Sequence, residues 1–215
     1  RAAWLGRFRG GAAPLLSPWA PRAPVLIDEA AAKARLAKHG LPVPRGARAE
    51  TPQAAARVAE DLGGPVAVKR LGLAHKTGQG GVVLALTEPA AVCSAARAMQ
   101  GPVLVEAMVP DGLTEVLVGV VRDPAHGFVL TLGAGGTLAE LLQDRVSMLL
   151  PVTQADLRAG LDRLRMAPVL QGYRGAPGVD VGAIAQAVMA VQDFVIAEAA
   201  QLDEIEINPL ICTAD

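Results

Sequence analysis

Short apolar runs bounded by glycine or proline most constrain how this chain can fold. In the first half they are PVAVKRL (65–71), VVLALT (82–87) and VLVEAM (103–108), which predict strands. PVAVKRL alternates, so Ala67 and Lys69 are expected on one face of the strand. Helix signals precede the first run and also separate the second run from the third, and this combination of helices and strands predicts a small α/β lobe.

Capping residues mark where the helices begin. Asp28 is expected to cap a helix through EAAAKARLAKH, and Thr51 caps the next, with Pro52 at its first position. Thr87 together with Pro89 is expected to start a third helix, which runs to about Gln100. The second and third of these segments each precede a predicted strand, which fits the same α/β lobe.

The second half has its own pattern of elements. EVLVGVVRD and GFVLTLG predict paired strands around the turn PAHG, and a glycine loop follows at 133–136. Helices are predicted after Thr153 and Val179, and DEIEINPLI predicts a last strand. The second half thus also combines strands and helices, and 215 residues suffice for one large domain or two small lobes.

Composition and charge exclude several classes of protein. Hydrophobic residues make up 52% of the chain and aromatic residues 3%, and the formal net charge is -1, which argues against nucleic-acid binding. Cys93 and Cys212 lie far apart without a CxxC pair, so neither a disulfide framework nor a zinc site is predicted. The longest apolar stretch, at 181–200, is interrupted by Gln and Asp, so no membrane span is expected. A cytoplasmic protein fits these features best.

The loop LAHKTGQGG (73–81) carries a histidine, a lysine and three glycines. A Walker A loop needs glycine directly before its lysine, where this chain has His75. A dinucleotide fingerprint needs a third glycine, where Val83 and Leu138 stand after the two glycine-rich stretches. The remaining option is a nucleotide held by a strand lysine, a glycine loop and acidic residues that bring magnesium.

Three segments in order carry a resemblance to a known family. They are GGPVAVKRLGLAHKTGQGGVVLAL (63–86), the continuous stretch 103–144, and EIEINPL (204–210). From Leu26 to its end, the chain resembles the ATP-grasp domain of ADP-forming acyl-CoA (acetyl-CoA) synthetases, relatives of the succinyl-CoA synthetase beta subunit. The resemblance implies an α/β (α+β) ATP-grasp fold with two lobes clasping a nucleotide. It also implies the interconversion of acid, CoA and ATP with acyl-CoA, ADP and phosphate through a phosphohistidine.

The resemblance also implies how the chain is organised. Residues 1–25 would be the tail of a preceding domain and a linker, 26–102 the N-terminal lobe, and 103–215 the C-terminal lobe. A transit peptide is the other interpretation of the arginine-rich start. CoA-binding and CoA-ligase domains, which handle the acyl-CoA and the small carboxylic acid, are expected in the same chain or in a partner subunit of an oligomer.

The family's phosphate-binding roles fall on the first lobe. Lys69 resembles the strand lysine that meets nucleotide phosphates, and the backbone of Gly78, Gly80 and Gly81 would approach phosphate oxygens. The alternatives are an exposed strand lysine and a hairpin turn. His75 resembles the loop histidine and would accept the phosphoryl group as a relay, or else only donate a hydrogen bond to phosphate or pack the turn.

The resemblance also implies contacts with the adenine and the ribose of the nucleotide. Glu106 would lie where the strand passes the adenine, with Ala107 and Met108 supplying backbone contacts. Glu115 matches the acid near the ribose. The alternative for both glutamates is a solvated acid on a strand.

Magnesium is the implied cofactor, with ATP or ADP as substrate. Glu206 and Asn208 alternate along EIEINPL, so oxygens from both could face one hard cation. The alternative is a strand end with an Asn-Pro turn. A further metal-binding aspartate is expected beyond Asp215. Asp144 and His126 are interpreted as a helix-end acid and a turn histidine.

Two other functions stay open at the level of sequence. The domain could sense nucleotide as a regulatory module of a fused protein acetyltransferase without synthetase activity. It could also belong to a carboxylate-amine ligase, but that chemistry needs no loop histidine, so HKTGQGG weighs against it.

Overall fold

The computed structural model describes residues 13–16, 23–72, 80–136 and 142–214. The chain divides into two compact units, one of them Ala23–Pro110 and the other Asp111–Asp215 with the segment before Ala23. Within the predicted tail, the described residues 13–16 belong to the second unit, where Leu15 N donates to the Leu150 carbonyl at 2.9 Å. None of the described helices is long and apolar enough to cross a membrane.

The first unit combines three helices with one antiparallel sheet among its described residues. Its elements are α1 (Glu29–Ala37), β1 (Gly46–Ala49), α2 (Pro52–Leu62), β2 (Val66–Arg70), β3 (Val82–Leu86), α3 (Pro89–Met99) and β4 (Val103–Ala107). The strand order is β1-β4-β2-β3. Val66 and Val68 of β2 and Val103 and Val105 of β4 are fully buried in a core that includes alanines of α2 and α3. The opposite face of β2 and β4 is therefore free to present polar side chains.

The predicted caps form two of the three helix starts in this unit. Asp28 accepts a hydrogen bond from Ala31 N, and Thr51 accepts one from Ala54 N. Gly63 ends α2 in the left-handed conformation, at φ 68°. The third helix begins at Pro89 as predicted, but its N-cap is Glu88 and lacks a side-chain hydrogen bond.

The boundary between the units lies further along the chain than the sequence analysis placed it. The predicted division at 102/103 falls just before β4, yet β4 pairs with both β1 and β2 of the first sheet. The first unit accordingly extends to Pro110. A run of apolar residues predicts a strand but not its partners, which is why the pairing of β4 was missed.

The second unit contains four described strands and three described helices. Its elements are β5 (Thr114–Asp123), β6 (Gly127–Ala134), β7 (Arg145–Leu149), α4 (Gln154–Asp162), α5 (Ala167–Leu170), α6 (Val181–Ala197) and β8 (Glu204–Cys212). The antiparallel sheet has the order β7-β6-β5-β8. Val116, Val118 and Val120 of β5 are buried on one face, which places Glu115 on the opposite face.

A β-bulge interrupts the pairing of β8 with β5. Val116 pairs with Leu210 and Val118 pairs with Ile207, so Asn208 and Pro209 together face the single residue Leu117. A bulge tolerates proline inside a sheet and redirects the neighbouring side chains. This irregularity determines where the Asn208 side chain points.

Candidate functional site

Lys69 and Glu106 meet on the polar face of the first sheet. Glu106 pairs with Ala67 in the β2–β4 register, and Ala67 and Lys69 are two residues apart, so all three share one face. The Lys69 Nζ lies 2.8 Å from the Glu106 Oε2. The two residues are 37 positions apart in the sequence, and only the strand pairing brings their charges together.

Helix α1 adds a second glutamate and a second lysine to this pair. Glu29 Oε1 lies 2.8 Å from Lys69 Nζ and 2.9 Å from Lys33 Nζ. Lys33 Nζ also lies 2.5 Å from Glu106 Oε1. The four side chains form a closed ring of alternating charge, which we call the charge ring: Glu29, Lys33, Glu106 and Lys69.

Burial differs among the members of the charge ring. The Glu106 side chain is 4% exposed, whereas those of Lys33 and Lys69 are each 24% exposed. Burial lowers the pKa of Lys69, but the carboxylates of Glu29 and Glu106 together raise it by more, so the net pKa lies above the ordinary value. Lys69 therefore carries a full positive charge at neutral pH.

Glu106, Ala107 and Met108 are the residues that the resemblance places beside the adenine. In the structure, the Glu106 carboxylate and the N–H groups of Ala107 and Met108 already form bonds within the first unit. Both carboxylate oxygens of Glu106 are paired with lysines. The N–H of Ala107 donates to the Arg45 carbonyl at 2.8 Å, and the N–H of Met108 donates to the Pro65 carbonyl at 2.9 Å. A nucleotide would thus have to use other atoms of Ala107 and Met108.

Only part of the glycine loop lies within the described residues. Gly81 accepts a hydrogen bond from Arg70 N at 2.8 Å, which extends the ladder between β2 and β3. Gly80 has φ 68° and open space where a Cβ would be, so glycine is favoured there by backbone conformation. His75 and Gly78 lie outside the described residues.

In the second unit, Glu115, Gly136 and Asn208 meet beside the bulge. Gly136 N donates to Asn208 Oδ1 at 2.8 Å. A Cβ on Gly136 would lie 1.6 Å from Glu115 Oε2, so the Glu115 carboxylate lies directly over the glycine. Gly135 N donates to the Glu115 carbonyl at 2.9 Å, which holds the loop against β5.

Glu206 lies on the same face of the second sheet as Glu115. It pairs with Gly119 of β5, and residues 115 and 119 are an even number of positions apart in that strand. Glu206 and Asn208 are both exposed, while Ile205 and Ile207, which alternate with them along the strand, are half-buried. In the described ranges, no cluster of three or more His, Cys, Asp or Glu residues could by itself hold a metal ion.

Asp144 and His126 have structural partners. The two carboxylate oxygens of Asp144 accept from Arg165 N at 2.9 Å and Met166 N at 2.8 Å, and Asp144 is buried. His126 Nδ1 lies 2.8 Å from Asp123 Oδ1 within the β5–β6 turn. Both contacts agree with the interpretation of a helix-end acid and a turn histidine.

Three residues of these clusters were not singled out by the sequence analysis. Glu29 and Lys33 are spaced as a helical i,i+4 pair behind the Asp28 cap, a common surface pattern that does not reveal contacts with a sheet. Gly136 was recognised only as part of a glycine loop. Its contacts with Glu115 and Asn208 depend on the pairing of distant strands.

Comparison with known proteins identifies the family. The ATP-grasp domain family matches residues 22–215. The chain belongs to this family. The predicted ATP-grasp fold is confirmed, because the chain, with its two units and their antiparallel sheets, also matches solved structures of a dinucleotide-forming acetyl-coenzyme A synthetase.

Within this family, the chain is similar in sequence to curated CoA ligases. This ATP-grasp chain is 31% identical over 193 residues to the acetate–CoA ligase [ADP-forming] II subunit beta of Pyrococcus furiosus, covering 83% of this chain and 81% of that protein. It is 35% identical over 213 residues to a trans-feruloyl-CoA synthase from an unknown prokaryotic organism, covering 92% of this chain but 30% of that protein. The predicted relationship to ADP-forming acyl-CoA synthetases is confirmed.

Solved structures agree with this placement. Acetyl-coenzyme A synthetase 1 of Ca. Korarchaeum cryptofilum, in complex with coenzyme A and Ca-AMPCP, matches with a TM-score of 0.80, 25% identity and 88% coverage of each chain. PH1788 from Pyrococcus horikoshii matches with a TM-score of 0.77 and 28% identity, covering 85% of this chain and 82% of that one.

Proposed function

We propose that this chain is the nucleotide-binding module of an ADP-forming acyl-CoA synthetase, which interconverts acid, CoA and ATP with acyl-CoA, ADP and phosphate. Lys69 carries the proposal: it is a charged lysine on the polar face of an ATP-grasp sheet, held at 2.8 Å by each of two carboxylates. A partly exposed ammonium can exchange a carboxylate partner for a phosphate oxygen.

ATP and ADP are the proposed substrates of this module. We assign the phosphates to Lys69 and to the backbone of Gly78, Gly80 and Gly81. One relative was solved with Mg-AMPPCP and with its phosphohistidine segment pointing towards the nucleotide binding site. This relative supports nucleotide binding here, since its chain matches with a TM-score of 0.73 and 26% identity.

The hinge and ribose assignments follow the resemblance. Glu106, Ala107 and Met108 are proposed beside the adenine, and Glu115 beside the ribose. The bonds already made by the Ala107 and Met108 N–H groups restrict the adenine contact to the remaining atoms of these residues.

Magnesium is the proposed cofactor, and the residues present fit it. Asn208 Oδ1 accepts one hydrogen bond from Gly136, and an amide oxygen has a second lone pair. Glu206 and Asn208 supply two exposed oxygen ligands, and Mg²⁺ is commonly held by one or two protein ligands together with substrate phosphates. When bound, the ion would neutralise charge on the phosphates during phosphoryl transfer.

His75 is the proposed phosphate carrier. Its ring nitrogen would attack the γ-phosphorus of ATP, forming a P–N bond as the bond to the leaving ADP oxygen breaks. CoA-binding and CoA-ligase domains, in the same chain or a partner subunit of an oligomer, would receive the phosphoryl group and hold the acid. A cytoplasmic location would suit this metabolism.

Calorimetric titration of the chain with ATP, with and without magnesium, tests the proposal. We expect binding that also raises the melting temperature, since a ligand that binds only the folded state stabilises it. Asn208→Ala should lose the magnesium-dependent part of the binding and keep the metal-free part. Absence of binding at millimolar Mg-ATP would contradict the proposed function, and equal magnesium dependence in both proteins would contradict the role of Asn208.

A further inference from the structure

Glu106 is the most deeply buried member of the charge ring, and two lysines of the described part of the chain pair with it. Its side chain is 4% exposed, with Oε1 paired to Lys33 at 2.5 Å and Oε2 paired to Lys69 at 2.8 Å. A buried carboxylate that loses its only cation is strongly destabilised, because neither water nor another charge replaces the lost interaction. The second lysine therefore matters most when the first one leaves.

Nucleotide binding would be such an event. A phosphate that binds Lys69 attracts its ammonium away from Glu29 and Glu106, which hold it at 2.8 Å each. If Lys69 were the sole partner of Glu106, this movement would leave a buried negative charge facing the incoming negative phosphate. Lys33 approaches the other oxygen of Glu106 and can remain there.

The contacts of Lys33 favour its remaining beside Glu106 when Lys69 moves towards a phosphate. It is anchored on α1 through Glu29, whose Oε1 lies 2.9 Å from its Nζ, and its side chain is 24% exposed. An ordinary i,i+4 ion pair on a helix surface contributes little to the stability of the fold. Here the same lysine also reaches a buried carboxylate on β4, which links the helix to the strand beside Lys69.

We infer that Lys33 is a positioning residue of the nucleotide site: it compensates the charge of Glu106 so that Lys69 can transfer from this carboxylate to a nucleotide phosphate. The inference rests on the proposed function, in which Lys69 binds phosphate. Lys33 itself need not touch the nucleotide.

Mg-ATP dissociation constants for a set of variants test this role. Lys33→Met should weaken binding by about tenfold, because Lys69 then remains the only cation of Glu106 among the described residues. Lys33→Arg should restore affinity to within about threefold, since it keeps the charge. Lys38→Met, at an exposed lysine that ends the same helix, is the matched control and should bind as the unmodified chain does.

A double-mutant cycle separates charge compensation from a purely structural effect. Glu106→Gln removes the buried charge, so adding Lys33→Met to it should change the dissociation constant by less than about twofold. If Lys33→Met melts below the assay temperature, Lys33→Gln takes its place with the same expectations.

The outcomes distinguish the inference from the proposed function. An unmodified chain that fails to bind Mg-ATP would refute the proposed function itself. If that chain binds but Lys33→Met binds equally well, or loses as much affinity with Glu106→Gln as without it, Lys33 is not a positioning residue.

Discussion

The backbone N–H of Gly136 donates a hydrogen bond to the side-chain oxygen of Asn208 at 2.8 Å. The two residues are far apart in the sequence, and the pairing of β6, β5 and β8 brings them together. Glu115 lies against the same glycine, in the space a Cβ would occupy. Gly136 thus fixes one residue proposed to bind metal and leaves room for one proposed to bind the ribose.

Gly136→Ala should impair this cluster. The new Cβ would lie 1.6 Å from Glu115 Oε2, so Glu115 has to move and the bond to Asn208 is disturbed. We expect Mg-ATP affinity to fall by about tenfold, as measured by calorimetric titration.

Gly63→Ala is the matched control for backbone strain. Gly63 has φ 68°, close to the 64° of Gly136, but nothing lies within 4 Å of its ideal Cβ. Both alanines should cost about 1 kcal/mol in unfolding free energy from the left-handed conformation. Equal Mg-ATP affinity in the two variants would rule out the proposed importance of the Glu115–Gly136 contact.

The contribution of Lys69 to stability should disappear at high pH. Burial lowers the pKa of Lys69, but the carboxylates of Glu29 and Glu106 raise it by more, so the net pKa lies above the ordinary value of 10.5. A cationic group whose pKa is higher in the folded state than in the unfolded state stabilises the folded protein fully at pH values below the unfolded-state pKa. This contribution to stability is lost as the pH rises through the folded-state pKa. The difference in unfolding free energy between the chain and Lys69→Met should thus be constant to about pH 10 and shrink above it.

Urea denaturation at a series of pH values measures this difference. Subtracting the variant removes the titration of the other lysines and of tyrosine, provided that these groups behave alike in both proteins. A difference that persists unchanged to about pH 12 would mean that the charge ring does not raise the pKa of Lys69.

Asp144 should matter for stability but not for nucleotide binding. Its carboxylate accepts from two backbone N–H groups, those of Arg165 and Met166. Asp144→Ala leaves both donors without this partner and should lower the unfolding free energy by about 2–3 kcal/mol, while Asp144→Asn, which keeps one acceptor oxygen, loses less. Unfolding in urea and Mg-ATP titration report the two effects separately, and a selective loss of affinity would make Asp144 part of the nucleotide site instead.

His75→Ala distinguishes a phosphate carrier from a phosphate-binding residue. In the complete synthetase it should abolish acyl-CoA formation and leave Mg-ATP binding nearly intact, because the proposed contact of Lys69 with the nucleotide would remain. Coupled assay of CoA thioester formation, with calorimetry on the same preparation, measures both. Normal turnover would eliminate the relay, whereas lost binding would assign His75 to the nucleotide site.

Local chemistry allowed much of the fold to be predicted. Asp28, Thr51 and Thr153 each cap a helix through a side-chain bond to a backbone N–H three residues on, so a few adjacent residues decide where the helix begins. The strands rich in valine and leucine were predicted for the same reason. The order of motifs also identified the family, because the resemblance depends on sequence alone.

Two strands were missed because their sequences are poor in strand signals. β1 reads GARA and β7 reads RVSML, and neither run resembles the apolar strands of the cores. β1 is extended through its pairing with β4, and β7 through its pairing with β6. Tertiary context overrides intrinsic β-propensity at such edge positions.

The sequence by itself determined the helix caps, the apolar strands, the family and the candidate residues, because each depends on neighbouring residues or on motif order. Tertiary structure alone decided that β4 belongs to the first sheet, that α1 delivers Glu29 and Lys33 to Lys69 and Glu106, and that a bulge directs Asn208 towards Gly136. These contacts join distant parts of the chain, so they exist only once strand partners and register are chosen, and burying the apolar face of each sheet makes that choice.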